Sequence, residues 1–230
     1  MLYAVIAAGG IGSRMGAEKP KQYITVGNKP IIAHTVQKFL DCGKFRRVIV
    51  LCPEEWCSYT DALLKKHFNN DCVTVIKGGS DRNETIMNSV SYIENTDGLD
   101  ENTVIVTHDA VRPFVTTEII DRHIESSEIY DAIGTVIPAT DTIIESYDGL
   151  TINGTPDRSK LYQCQTPQTF NAKKLKELYF TLTNDKKNIL TDTCSVFSVS
   201  GESVHLVMGD VQNIKITYPY DLKVAEIILE

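Results

Sequence analysis

Short aliphatic and β-branched runs alternate along this chain with longer segments of helical period, and that rhythm confines it to an α/β fold. Residues 3–7, 47–51, 73–77, 104–108, 132–137 and 204–208 are predicted strands, with short strand-like pieces around 141–152. Between them, 31–40, 56–68, 83–93, 117–127, 173–182 and 219–229 carry the apolar recurrence of helices. The regular βα series of the first half predicts a mostly parallel sheet with helices on both faces, a three-layer Rossmann-like arrangement. At 230 residues the expectation is a single domain, 1–230, with a modest appendage. That appendage is 138–170, where Asp148-Gly149, Asn153-Gly154 and Pro156 interrupt the rhythm with turn signals. A protruding β-arm of this kind cannot bury both faces alone. It packs on a second copy, giving a homodimer, or folds back on its own domain.

Composition narrows the function classes. With 42% hydrophobic and 23% charged residues the chain is ordinary globular protein, and no apolar run is long enough to span a membrane. The start, Leu2-Tyr3-Ala4-Val5-Ile6, reads as a buried strand and not as a secretory signal, so a cytoplasmic location is expected. Six cysteines without a CxxC pair suit neither a disulfide framework nor a zinc site and are expected to be reduced. A net charge of −7 without clustered Lys and Arg argues against nucleic acid as a partner. It does not exclude a small anion, because a few local cations and backbone amides can hold one in an acidic protein.

The first strand runs into Ala7-Ala8-Gly9-Gly10-Ile11-Gly12-Ser13-Arg14-Met15-Gly16, followed by Lys19-Pro20-Lys21-Gln22. Glycines let the backbone turn tightly and aim successive N–H groups at phosphate oxygens. The dinucleotide fingerprint is broken, because Gly10-Ile11-Gly12-Ser13-Arg14-Met15 lacks its last glycine, and no Walker-A Gly-Lys-Ser/Thr is present. Arg14 and Lys21 instead bring two cations to the turn. Attack of a phosphate oxygen on the α-phosphorus of a nucleotide concentrates negative charge that Arg, Lys and Mg²⁺ stabilise. The bland alternative is a structural βα turn with solvated basic residues.

Three further stretches have chemistry of their own. Gly78-Gly79-Ser80-Asp81-Arg82-Asn83-Glu84-Thr85 opens a helix at a strand's C-terminal end, which suits a ligand loop or a plain capped helix start. Thr107-His108-Asp109-Ala110-Val111-Arg112-Pro113-Phe114 ends an apolar strand in an ionisable cluster. There Asp109 suits Mg²⁺, which takes one or two carboxylates plus phosphate oxygens; the alternative is an Asp109–Arg112 pair tying the turn. Lys215, in Asn213-Ile214-Lys215-Ile216-Thr217, lies in an apolar run and should meet an anion, or else lie in water on an edge strand.

From Ala7 to Leu222 these motifs, in this order, resemble the family that contains 2-C-methyl-D-erythritol 4-phosphate cytidylyltransferase and ribitol-5-phosphate cytidylyltransferase. The resemblance implies a nucleotidyltransferase fold and transfer from CTP to a polyol phosphate with Mg²⁺. It implies that Arg14, Lys21 and Lys215 are the catalytic cations. Ala7, Ala8, Gly9, Gly10, Gly12, Gly79, Ser80, Arg82, Thr85 and Ala110 would hold the nucleotide, Gly79 and Thr85 reading the cytosine. Asp109, Arg112, Asp141, Arg158, Thr166 and Thr191 would hold the acceptor, Arg158 reaching across the dimer, with Asp109 also at the metal. Asp81-Arg82-Asn83-Glu84-Thr85, the His108 to Phe114 stretch, the Tyr162 to Gln168 region and Leu190-Thr191-Asp192-Thr193-Cys194 look more like the ribitol-phosphate branch, so CDP-ribitol is the expected product. Ala7-Ala8-Gly9 is the usual start of the erythritol branch, which is the second expectation. Another class, a nucleotide-binding module without turnover, would have no need of Arg14, Lys21, Asp109 and Lys215 together.

Overall fold

The structure, a computed structural model, describes residues 1–10, 19–69 and 71–229. In chain order its strands are β1 Leu2–Ala7, β2 Thr25–Val26, β3 Lys29–Pro30, β4 Arg47–Cys52, β5 Val73–Lys77, β6 Val104–Asp109, β7 Ala132–Pro138, β8 Tyr162–Asn171 and β9 His205–Met208. The helices are α1 Ile31–Cys42, α2 Cys57–His67, α3 Arg82–Thr96, α4 Thr117–Ser126, α5 Ala172–Thr181, α6 Asn184–Asn188, α7 Cys194–Val199 and α8 Pro219–Leu229. Seven strands form one sheet in the order β5-β4-β1-β6-β8-β7-β9, and β2 and β3 pair separately. Every pairing in the large sheet is parallel except those of β8, which runs antiparallel to both β6 and β7.

The two-residue period of a strand sorts the side chains of β1 to opposite faces. Ala4 and Ile6 pack with Ile32, Val36 and Phe39 of α1 and with Ile119 and Ile120 of α4. Tyr3 and Val5 pack with Ile86, Val90 and Ile93 of α3, Leu175 of α5 and Phe197 of α7. All of these are almost wholly buried, and each fully buried aliphatic or aromatic side chain contributes about 1.5–3 kcal/mol by leaving water. Helices therefore cover both faces, as the apolar run of β1 requires. A third cluster seats Ile31, Val111, Phe114, Ile216 and Ala225 of α8 around Val26 of β2.

Two expectations need correction. Within 138–170, expected to be arm, Tyr162–Asn171 is a ten-residue strand in the sheet, so that only 139–161 lies outside it. The reason is polar burial: Gln165, Thr166, Gln168 and Thr169 are buried in β8 and each makes hydrogen bonds to residues remote in sequence, so the strand carries no aliphatic signature. The pieces around 141–152 form no strand either; their strand-like pairing is an isolated Glu145–Gly154 bridge. Two short helices, α6 and α7, were not expected. Among the described residues no helix is long and apolar enough to cross a membrane.

Successive strands β1, β4 and β5 step to one side of the sheet, after which β6 returns to the other side of β1. Their C-terminal ends are level, with Ala7 paired to Leu51 on one side and to Asp109 on the other. Such a reversal of strand order opens a crevice at the carboxyl edge.

Candidate active site

The floor of that crevice is the chain leaving β1. The Ala8 amide donates to the Leu51 carbonyl at 2.7 Å and the Ala110 amide to the Ala7 carbonyl at 3.0 Å. Buried Gln22 donates through Nε2 to the Ala8 carbonyl at 2.7 Å. Its neighbour Lys21 begins a 3₁₀ turn, Lys21–Tyr23, directly after Pro20. Tyr23 anchors the turn: its hydroxyl lies 2.7 Å from Thr60 Oγ1, and its ring stacks on Trp56 at 5.1 Å. Lys21 is consequently only 7% exposed.

The loop after β5 forms the opposite wall. Asp81 caps α3 by accepting from the Glu84 amide at 2.8 Å. The Gly79 amide donates to Thr85 Oγ1 at 2.9 Å, and that hydroxyl donates to the Asp81 carbonyl at 2.6 Å. The Ser80 amide and hydroxyl both donate to Glu84 Oε2. The hydroxyl protons of Ser80 and Thr85 are thus committed within the loop, and both side chains shape it. A Cβ on Gly79 would lie 2.5 Å from Glu84 Cγ and 2.7 Å from the Glu84 backbone carbon. Gly79→Ala is expected to destabilise the protein by about 1–3 kcal/mol, because the loop must shift. Thermal melts check this; an unchanged melting temperature would mean that the loop takes the added methyl without moving Glu84.

Ala7, Ala8, Gly9, Gly10, Lys21, Gly79, Ser80, Arg82, Thr85, Asp109, Ala110 and Lys215 all line one cleft of about 280 Å³. An adjoining cleft of about 530 Å³ is lined by Arg112, Thr166 and Thr191 and shares Arg82, Asp109 and Lys215 with the first. Asp141 and Arg158 line neither; both are exposed on 139–161, where Arg158 Nη1 donates to the Thr140 carbonyl at 2.9 Å. Gly12 and Arg14 lie outside the described residues.

Asp109, 5% exposed, stands where the two clefts meet. Arg82 Nη1 pairs with its Oδ1, while Lys215 Nζ at 2.9 Å and Arg112 Nε at 3.4 Å face its Oδ2. Burial by itself would raise this carboxyl, but Arg82, then Lys215 and Arg112, outweigh it and hold the group far below the usual carboxylate range. The sequence offered two partners separately, Arg112 for Asp109 and an anion for Lys215; one carboxylate serves both. Three cations around one carboxylate leave the junction positive, and among the described residues the buried Arg82 Nε and Nη2 have no hydrogen-bond partner, donors suited to an anionic ligand. Among the described residues no three His, Cys, Asp or Glu side chains cluster as a metal cage. Mg²⁺ brought in with a nucleotide would find one carboxylate at this junction, Asp109, and would take most of its donors from phosphate oxygens and water.

Further residues support the junction from behind. Arg112 Nη1 donates to the Asn213 carbonyl at 2.7 Å, Asn213 Nδ2 donates to the Thr166 carbonyl at 2.8 Å, and the Asp109 amide donates to Thr166 Oγ1 at 3.1 Å. Gln168 donates to Asp192 Oδ2 at 2.5 Å along the second cleft. His108 Nε2 lies 3.0 Å from the Arg112 carbonyl, and burial lowers its pKa to about 4, leaving a neutral structural imidazole. Sequence reasoning gave no role to Gln22, Gln168, Asp192 or Asn213. The available signal was proximity to quoted motifs, which says nothing of where an amide points.

Solved structures share this arrangement of elements. The 4-diphosphocytidyl-2C-methyl-D-erythritol synthase of Anaerococcus prevotii is 25% identical at a TM-score of 0.82, covering 100% of this chain and 96% of that chain. The 2-C-methyl-D-erythritol 4-phosphate cytidylyltransferase of Francisella tularensis is 28% identical at a TM-score of 0.81, covering 97% of each. The sequence profile of one family, IspD: 2-C-methyl-D-erythritol 4-phosphate cytidylyltransferase, matches residues 2–230. With that match spanning almost the whole chain, this protein belongs to the IspD family of cytidylyltransferases, which are nucleotidyltransferase enzymes.

Proposed function

We propose that this enzyme joins CTP to the phosphate of a small polyol phosphate, 2-C-methyl-D-erythritol 4-phosphate, and releases pyrophosphate. The observation that carries the reading is the pair of adjoining clefts sharing Asp109, Arg82 and Lys215. A nucleotide in the first and an acceptor in the second would bring two phosphates to one positive junction. An acceptor phosphate oxygen attacks the α-phosphorus; the new O–P bond forms as the bond to the β-phosphate oxygen breaks, and pyrophosphate leaves with that electron pair. No general base is needed, because the attacking phosphate is already an anion. Lys21 and Lys215, with Arg14 from the glycine-rich turn, offset the charge that accumulates. Bound Mg²⁺ supplies further charge neutralisation and in-line positioning of the phosphates.

The family match and the names of the similar structures support the erythritol acceptor. A second reading, D-ribitol 5-phosphate, is supported by the resemblance of Asp81-Arg82-Asn83-Glu84-Thr85 and Thr191-Asp192-Thr193 to the ribitol branch, and would place the product in wall or capsule polymer synthesis. The reading includes a homodimer in the cytoplasm. The support for the dimer is the segment 139–161, where Ile144, Tyr147, Leu150 and Ile152 are exposed on the same stretch as Asp141 and Arg158, apolar surface that a second copy would cover.

Pyrophosphate release from CTP and Mg²⁺ with each acceptor is the test. Turnover with the erythritol compound is the expected result, preference for ribitol phosphate selects the second reading, and release with neither overturns both.

A further inference from the structure

The most irregular pairing in the sheet lies behind the second cleft. Gly134 of β7 pairs with Gln168, but the next residue, Thr135, pairs with Gln165. Thr166 and Pro167 therefore bulge from the ladder, and a bulge re-aims a side chain at the expense of backbone pairing. Their carbonyls are satisfied from elsewhere: Asn213 Nδ2 donates to that of Thr166 at 2.8 Å, and Thr135 Oγ1 donates to that of Pro167 at 2.7 Å. The bulge turns Thr166 Oγ1 to the Asp109 amide at 3.1 Å. Since that amide is the donor, the Thr166 proton is available to an anion in the cleft.

His123 of α4 lies behind this bulge, fully buried. Its Nε2 is 2.7 Å from Thr135 Oγ1 and its Nδ1 is 2.9 Å from Thr169 Oγ1. The proton directions follow. Thr135 spends its single proton on the Pro167 carbonyl, so its oxygen must accept from His123, which puts the imidazole proton on Nε2. Nδ1 must then accept from the Thr169 hydroxyl. Burial lowers the imidazole pKa to about 3, in keeping with a neutral ring that cannot reverse these directions by protonation.

We infer that His123 is a positioning residue for the acceptor site: through Thr135 it fixes the Thr166-Pro167 bulge, and with it the hydroxyl that Thr166 presents beside Asp109. This rests on the second cleft being the acceptor site. His123 touches no substrate; it fixes the direction of one hydroxyl, which in turn holds one carbonyl.

The test is steady-state kinetics on the full chain with His123→Leu, His123→Gln and Thr135→Val. His123→Leu is expected to raise the acceptor KM roughly five- to tenfold, the worth of one neutral hydrogen bond, with the CTP KM within about twofold. His123→Gln, whose amide can donate to Thr135, should stay within about threefold of wild type. Thr135→Val removes the shared hydroxyl and should reproduce the leucine variant, and it carries the test if that variant fails to fold. Acceptor and CTP KM rising in step, no change in either, or a glutamine variant no better than leucine would each overturn the inference. Titration with inorganic phosphate, followed through the Asp109 amide resonance, reads the same site without turnover. A wild type inactive with both acceptors would sink the functional reading alone. Phosphate binding by the variants equal to wild type would sink this one.

Discussion

Replacing Lys21 by Ala is expected to lower the rate of pyrophosphate release by roughly 10³-fold, about 4 kcal/mol of transition-state stabilisation, while moving the CTP KM only a few-fold. Lys21 is held at the start of a turn that Pro20 begins, Gln22 ties to the Ala8 carbonyl and Tyr23 fastens to Thr60. A cation fixed in this way would need no reorganisation as charge develops, so its benefit is expected on the transition state more than on bound CTP. At 7% exposure its charge acts in a medium far less screened than water. Lys21→Arg keeps the charge but must fit a longer planar fork into a nearly closed space, and it should recover only part of the loss. Steady-state kcat and KM on the three proteins separate the possibilities. A rise in KM with kcat intact would make Lys21 a ground-state binder and leave the chemistry to other residues.

The parts of this molecule legible in its sequence are those where burial is apolar. The strands β1, β4, β5 and β6 are aliphatic because helices cover both faces, and their runs announce them. The strand β8 is equally central but buries Thr166, Gln168 and Thr169. Each is matched by a partner remote in sequence: Asn213 meets the Thr166 carbonyl, Thr107 Oγ1 donates to the Gln168 carbonyl at 3.0 Å, and His123 faces Thr169. A hydrophobic pattern cannot register a strand held by polar side chains and hydrogen bonds, so the sequence alone extends the arm through residues 162–170. In the site, an acid ending an apolar strand made Asp109 visible as an anomaly. That Arg82 and Lys215 share it with Arg112 is a product of topology, since α3 and the segment before α8 reach the same strand end only after folding. Side-chain type was also a poor guide to hydrogen-bond direction. Ser80 and Thr85 look like ligand donors, yet their protons go to Glu84 and to the Asp81 carbonyl. Asp141 and Arg158 lie beyond what one copy of the chain brings to either cleft.

Asp109→Ala is expected to act on stability and on turnover, with a signature that distinguishes a structural acid from one placed to meet phosphate. In the free protein the carboxylate is the counter-charge for Arg82, Arg112 and Lys215. Removing one member of a buried ion cluster costs about 3–5 kcal/mol, because the remaining charges are left uncompensated. Here the lower end applies, since the Lys215 side chain is 43% exposed and can relax into water, whereas that of Arg112 is 11% exposed and cannot. Turnover should fall by roughly 10²- to 10³-fold with the loss of the carboxylate proposed to hold the metal. Metal-free pyrophosphate, however, should stabilise the variant more than the wild type, because it restores the negative charge that the three cations have lost and meets no carboxylate repulsion. Urea unfolding with and without pyrophosphate reads both effects, and Asp109→Asn, which keeps the shape, isolates the charge. If pyrophosphate stabilises wild type and variant equally, the three cations serve the fold and the phosphate must be held elsewhere. If it restores most of the lost stability in the variant, Arg82, Arg112 and Lys215 are the cations that receive a phosphate at this junction.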